Sequence, residues 1–413
     1  MTNPAAERHG PMTGVRVVEI GDLGELAGKL LADAGADVIR VEPPRGARSR
    51  HTGPFVGDRP DPNGSLHFMA LNTNKRGVTV DLATPAGVAA WRTLAASADV
   101  VIDAAGPGVL DGYGAGSASC AEASRVIWCA ITPFGLTGPL RDLPANDLVS
   151  MALGGIVMMC GYDDHELPPV RPDGEHSLSI AGEYAVAGVL AALLLRARTG
   201  VGQLLDVSIH EAVAGTTEGA FMNWEYLGRN PQRTTGRHAG TVEQWQILCS
   251  DGKYAVLFGG GIPRDRKQME ALLSWMEEYG AVGDLRDPQY AQVLTLRPQE
   301  GGEIRHHFAV TVQAFLQTRP VEEVYRRGQQ CGLPWAPVRQ PEETLDDPHW
   351  ADRDFWATVE IPGAPAPARL PRAGYRFTKT PVEFRRRAPL LGEHNAEVLP
   401  PTPGNPPPTP SPR

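Results

Sequence analysis

The stretch VRVVEIGDLGELAGKLLADAGADVIRVE (residues 15–42) decides the fold of this chain. Two apolar runs, 15–20 and 36–42, flank a segment whose apolar positions Leu26, Ala27, Leu30, Leu31 and Ala34 recur at helical spacing. The Val/Ile-rich runs read as strands buried on both faces, and strand–helix–strand alternation implies a parallel sheet covered by helices. Gly21, Gly24 and Gly28 mimic a dinucleotide-binding fingerprint. Their spacing is GxxGxxxG, however, so the glycine that lets backbone approach a pyrophosphate is misplaced. Tight turning and close helix–sheet packing account for them better.

Outward from this unit the alternation continues. GVTVDL (77–82) predicts a third strand. Thr84 then offers a capping hydroxyl and Pro85 a preset first residue for a helix over 85–98. DVVID (99–103) and residues 125–131 predict the fourth and fifth strands. The turn FGLTGP (134–139) leads to an apolar helix over 147–159, an acidic loop over 161–169, and a long buried helix over 179–198. After residue 228 the texture changes: WQILCSDGKYAVLF predicts a hairpin around Asp251-Gly252, and helical patterns follow at 268–279 and 321–331. Gly259-Gly260-Gly261 reads as a turn or a mobile lid. GLPWAPV (332–338) signals an exit. The expected organisation is a large Rossmann-like domain (10–198), a linker (199–228), a small α+β domain (229–331), a segment returning to the large domain (332–399), and a disordered Pro-rich tail (400–413).

Composition bounds the function. A chain of 413 residues with a net charge of −9 lacks the basic balance that nucleic-acid binding needs. Five scattered cysteines (Cys120, Cys129, Cys160, Cys249, Cys331) include no CxxC pair, which supports neither a disulfide framework nor a zinc site. The N-terminus lacks a signal-like apolar core, and no stretch reaches about 18 uninterrupted apolar residues, so a cytoplasmic enzyme without a membrane partner is expected.

Five stretches in register carry a family resemblance: LLADAGADVIRVEPP (30–44), NTNKRGVTVDL (72–82), ADVVIDAAGPGVLD (98–111), RTGVGQLLDVSIHEA (198–212) and LLGEHNAEVL (390–399). Together they resemble the class III CoA-transferases, such as formyl-CoA transferase and the carnitine CoA-transferases. The resemblance implies a Rossmann-like large domain, a small domain and an interlocked homodimer. It also implies an acyl-CoA site lined by the turn at Gly21, here about two residues shorter than in the family. In that family an Asp attacks the acyl-CoA thioester. Counting from Pro168-Pro169 forward and from Gly188 back places that position at Leu178. An isobutyl group is neither nucleophile nor base. The related α-methylacyl-CoA racemases use two bases, and here those positions hold Asn146 and Leu178, or Ser177 by the racemase spacing. None of these exchanges an α-proton.

Replacement carboxylates are Asp164, Asp173 and Glu175, with Asp163 and Glu166 nearby; each also reads as an ordinary acidic surface residue. His176, two residues before the vacated position, is the leading general base, and Asn146 a candidate oxyanion donor. Coenzyme A carries phosphates for which Arg48, Lys75 and Arg76 are apt donors, alongside Arg40, Arg45 and Arg50; the same residues also read as a solvated basic face. The family's usual adenine and phosphate contacts are replaced by Ala104, Ala105, Gly106 and Gly112, so weak CoA binding is expected. The expected activity is acid/base chemistry (dehydration, isomerisation or cyclisation) on a small carboxylic or acyl metabolite, without a covalent CoA intermediate, resident cofactor or metal. The alternatives are a CoA-transferase with a displaced nucleophile and a non-catalytic homologue.

Overall fold

The computed structural model describes residues 10–120, 125–237, 243–296 and 302–399. The expected tail, 400–413, lies outside them. The chain divides into two compact units. One comprises residues up to 156, residues 173–217 and residues from 345 onward; the other comprises Val157–Pro172 and Glu218–Thr344.

The first unit is built on a six-stranded sheet: β1 (Arg16–Ile20), β2 (Asp37–Glu42), β3 (Arg76–Thr79), β4 (Val100–Asp103), β5 (Ile127–Thr132) and β6 (Leu204–Ser208). The order is β3-β2-β1-β4-β5-β6, every pairing is parallel, and Val18 sits between Ile39 and Val101. This is the doubly wound arrangement, whose direction of growth reverses between β1 and β4. Strands β1 to β5 lie close to where the apolar runs placed them. β6 is the strand the sequence reading absorbed into a linker. Leu204 and Asp206 are exposed on this edge strand, so its sequence lacks the continuous apolar run of the other five. The large unit therefore extends to Thr217 rather than ending at 198.

The covering helices are α1 (Glu25–Asp33), α2 (Leu66–Leu71), α3 (Pro85–Ala96), α4 (Val109–Gly112), α5 (Asp147–Leu153), α6 (His176–Thr199) and α7 (Ile209–Gly215). Thr84 caps α3 by accepting from the Gly87 amide at 3.1 Å, and Pro85 occupies its first turn. On the α3 side Trp91 is fully buried, donates to the Ala115 carbonyl at 2.8 Å, and packs edge-on against Trp128 with ring centroids 6.3 Å apart. Truncating such an aromatic costs about 3–5 kcal/mol. α5 is shorter than its apolar pattern implied, because Gly154 closes it and Gly155 follows at φ 88°. α6 begins earlier than expected, at His176. By length and composition α6 is apolar enough to cross a membrane. It packs nonetheless along α1, β5, β6 and α7, with Ala181, Ala185, Val189 and Ala192 buried.

The second unit contains β7 (Gln246–Leu248), β8 (Tyr254–Leu257) and β9 (Trp335–Pro337), which form an antiparallel sheet in the order β7-β8-β9. Its helices are α8 (Glu218–Leu227), α9 (Arg266–Glu277), α10 (Gly302–Gln317) and α11 (Val321–Gln330). Leu257, Leu272, Trp275, Phe308, Leu316 and Trp335 are central in its core. The hairpin turns at Gly252, as expected. The segment read as an exit is instead β9, because Trp335 is fully buried beside Gly328 on α11. Gly259, Gly260 and Gly261 form a turn in which all three φ angles are positive.

Candidate active site

A cavity of about 450 Å³ lies within the first unit. Gly21 and Leu23 follow β1, Ala104 and Ala105 follow β4, Pro133 follows β5, and Ile209 opens α7 after β6; all line it. It thus sits outside the carboxyl ends of the parallel strands at the β1/β4 reversal, where open α/β sheets bind ligands. Gly21 holds φ 86°, and a Cβ there would come within 2.0 Å of the Ala104 carbonyl oxygen. The two strand ends approach this closely only because that atom is missing.

The cavity rests on a buried charged floor. Arg40 reaches Glu19 at 2.9 Å, Asp22 at 2.6 Å and Glu25 at 3.0 Å. Lys75 donates to Glu19 at 3.1 Å, to the Glu25 carbonyl at 2.8 Å and to Asn72 at 2.8 Å. Glu25 also accepts from Ser49 at 2.6 Å and Asn72 at 3.2 Å. Gly28 makes room for this network, since a Cβ there would fall 1.5 Å from Glu19 Oε2. Burial pushes the Glu19 carboxyl up and the Lys75 ammonium down from their ordinary values. The floor fixes Asp22 and Glu25, both of which line the cavity.

This geometry corrects part of the basic set. Lys75 is fully buried and committed to the floor, so its ammonium cannot meet a phosphate. Arg76 is held by Asp37 at 2.6 Å and Glu397 at 2.8 Å, outside the cavity. Arg40 and Arg50 are likewise internal, Arg50 pairing with Glu42 at 2.6 Å. Of the six basic residues, Arg48 alone lines the cavity. It is exposed.

α5 and α6 bring their N-terminal ends to the opposite wall. Asn146 caps α5, its Oδ1 accepting from the Val149 amide at 3.0 Å. Asp147 accepts from both the amide and the hydroxyl of Ser177, at 2.8 and 2.9 Å, and so fixes the start of α6. Glu175, the N-cap residue of α6, and Leu178 in its first turn both line the cavity. The Glu175 carboxylate lies 3.5 Å from His67 Nε2 and is 44% exposed. It is therefore reachable by ligand, whereas Asp22, Glu25 and Asp147 are engaged by internal donors.

The remaining candidates fall elsewhere. His176 is exposed and does not line the cavity; its ring sits by Gly174. Asp173 is exposed outside the lining. Asp163, Asp164 and Glu166 belong to the second unit, where Asp163 pairs with Arg237 and Asp164 accepts from the Glu166 amide at 2.9 Å. His67 was missed by sequence reasoning. It lies on α2, a six-residue helix with little periodic signal, and 108 residues before its partner Glu175. Among the described residues no cluster of three or more His, Cys, Asp or Glu could hold a metal ion.

The sequence model described as CoA-transferase family III matches residues 12–395. The chain is 34% identical over 387 residues to the succinyl-CoA:(R)-benzylsuccinate CoA-transferase subunit BbsE of Thauera aromatica, covering 93% of this chain and 92% of the relative. It is 29% identical to the succinate–glutarate CoA-transferase of Agrobacterium fabrum, covering 95% and 96% of the two chains. A crystal structure of a CAIB/BAIF family protein from Brucella suis superposes with a TM-score of 0.79 at 27% identity, over 95% of this chain and 99% of that one.

Proposed function

The chain belongs to CoA-transferase family III, and on that basis we propose that it moves coenzyme A from an acyl-CoA to a carboxylic acid, with Glu175 as its displaced nucleophile. Relatives spanning almost its whole length are named CoA-transferases, which favours thioester chemistry over dehydration, isomerisation or cyclisation. His176, the base those reactions would need, stands outside the cavity. The observation that carries the proposal is the carboxylate of Glu175 in the cavity that Leu178 also lines.

The chemistry balances with this chain's groups and two substrates. The Glu175 carboxylate attacks the acyl carbon of the thioester, forming a mixed anhydride and expelling the CoA thiolate. The thiolate attacks the Glu175 carbonyl, releasing the first acid and leaving a glutamyl-CoA thioester. The incoming carboxylate repeats both steps in reverse order, leaving with CoA and restoring Glu175. His67 holds the Glu175 carboxylate in place. The Asn146 amide nitrogen, which has no partner among the described residues, would donate to the oxyanion formed at each addition. Coenzyme A is a reactant here, not a resident cofactor.

A second reading is favoured by Leu178 itself, together with the word "subunit" in the name of the Thauera relative. In it, this chain is one subunit of a transferase whose carboxylate stands on another chain. One experiment separates the two. Purified chain incubated with succinyl-CoA and labelled succinate is expected to move label into the thioester. Absence of exchange rejects the Glu175 proposal. Exchange that neither chain gives alone, and that appears when a second family III chain with Asp at the Leu178 position is added, establishes the other reading.

We further propose a homodimer. α6 leaves Tyr184, Leu190, Leu194 and Leu195 exposed, the last three at 45–60%. α8 carries Phe221, Met222, Trp224, Tyr226 and Leu227 with no residue buried. Apolar surface on this scale marks an interface. Light scattering is expected to give twice the chain mass; a stable folded monomer at micromolar concentration contradicts it.

A further inference from the structure

Resting on the transferase reading above, we infer that the chain also hydrolyses its acyl-CoA when no acceptor acid is present. His67 is the general base that delivers water to the carbonyl carbon of Glu175 in its CoA-thioester form. The titratable side chains lining the cavity are Asp22, Glu25, Arg48, His67, Asp147 and Glu175. Asp22, Glu25 and Asp147 accept from internal donors, and a guanidinium is already protonated. Once Glu175 is covalently occupied, His67 is the lining group left to accept a proton at neutral pH.

Its position suits that step. Nε2 lies 3.5 Å from Glu175 Oε2, and the ring has no other hydrogen-bond or ion-pair partner among the described residues. While Glu175 is a carboxylate, it occupies that nitrogen. Conversion to glutamyl-CoA removes the negative charge, and the carbonyl oxygen that remains is a weaker acceptor. The imidazole is then released to bind a water. That water stands beside the Glu175 carbonyl carbon, whereas the first acid has already left. Glu175 is exposed and His67 half-buried, so solvent reaches both.

The step balances. The water oxygen bonds to the Glu175 carbonyl carbon while His67 takes one of the water protons. The carbon–sulfur bond breaks, its electron pair leaves with sulfur, and the imidazolium passes its proton to the thiolate. The Glu175 carboxylic acid gives its remaining proton to solvent. In net terms an acyl-CoA and a water become a carboxylate, a thiol and a proton. CoA exchange between acids releases no free thiol, so the two activities are read separately.

The test uses the full-length chain with succinyl-CoA and no added acid. Free thiol is expected over many turnovers, above the rate without protein. In a single turnover in heavy-oxygen water, label should enter Glu175, located by peptide mass spectrometry, and not the released succinate. His67→Gln should lower thiol release about 10²-fold or more relative to label exchange measured on the same variant, the lower end of what a positioned base contributes. Equal losses of the two activities would leave the imidazole only a holder of Glu175 and overturn the inference. Label exchange with no thiol release also overturns it, and there the transferase reading survives. Heavy oxygen in the succinate of a single turnover, beyond the protein-free reaction, means that water attacks the acyl-CoA itself and likewise overturns it. Absence of label exchange in the parallel assay is the separate result that rejects the transferase reading.

Discussion

Glu175→Gln is expected to abolish CoA exchange, with kcat reduced by about 10³-fold or more, because an amide cannot form the anhydride on which transfer depends. The substitution changes almost no volume and leaves the first turn of α6 held by Asp147 and Ser177, so circular dichroism and the unfolding midpoint should be those of wild type. Glu175→Asp withdraws the carboxylate by one methylene, and a misplacement of about 1 Å costs on the order of 10²-fold. It should therefore retain a low, measurable rate. Full activity in the Gln variant would remove Glu175 from the chemistry, whatever its place in the cavity.

The largest expected effect on stability is at Arg40. Its two terminal nitrogens bind Glu19, Asp22 and Glu25, and both Glu19 and Arg40 are completely buried. Arg40→Met fills similar volume but leaves Lys75 as the nearest cation to these carboxylates. Breaking a buried pair from one side typically costs about 3–5 kcal/mol, since the remaining charge is neither solvated nor matched. Urea unfolding is expected to show a loss of this size at pH 7. The sign of its pH dependence is also fixed. Stranded carboxylates bind protons more tightly in the folded variant than in the unfolded chain, so its stability rises relative to wild type as pH falls toward 5. A loss below about 1 kcal/mol, independent of pH, would mean that the floor relaxes into contact with water and does not set the cavity's shape.

Much of the fold is legible in the sequence because its strands are buried on both faces. Val17, Val18, Val38, Ile39, Val100, Val101, Ile127 and Ile131 are all shielded from solvent, and such runs are hard to read otherwise. β6 escaped because an edge strand with Leu204 exposed carries only part of that signal. α5 was read too long because Ile156, Val157 and Met158 continue an apolar pattern beyond Gly154, and pattern alone does not weigh two consecutive glycines against it.

The sequence offers the candidate residues but not which of them share one cavity. Counting along the chain places the family's Asp position at Leu178 and offers Asp164, Asp173 and Glu175 as replacement carboxylates, with His176 ahead of them as the leading base. The cavity lining separates them: Glu175, at the N-cap of α6, lines it together with Leu178, whereas His176, the first residue of the helix, does not. That distinction needs α6 to begin at His176, one turn earlier than its apolar run implies. Lys75 was misjudged for the opposite reason. A lysine near a strand end reads as a surface cation, and nothing local in NTNKRG shows that Glu19 and Asn72 enclose it.

The central claim is that Glu175 is acylated during transfer. Brief incubation with succinyl-CoA, trapping with hydroxylamine or borohydride, and peptide mapping by mass spectrometry tests it directly. The account predicts one modified side chain, Glu175, in the peptide that spans the start of α6, and none in Glu175→Gln. An unmodified chain that still exchanges label, or an adduct on Asp164 or Asp173, would contradict it.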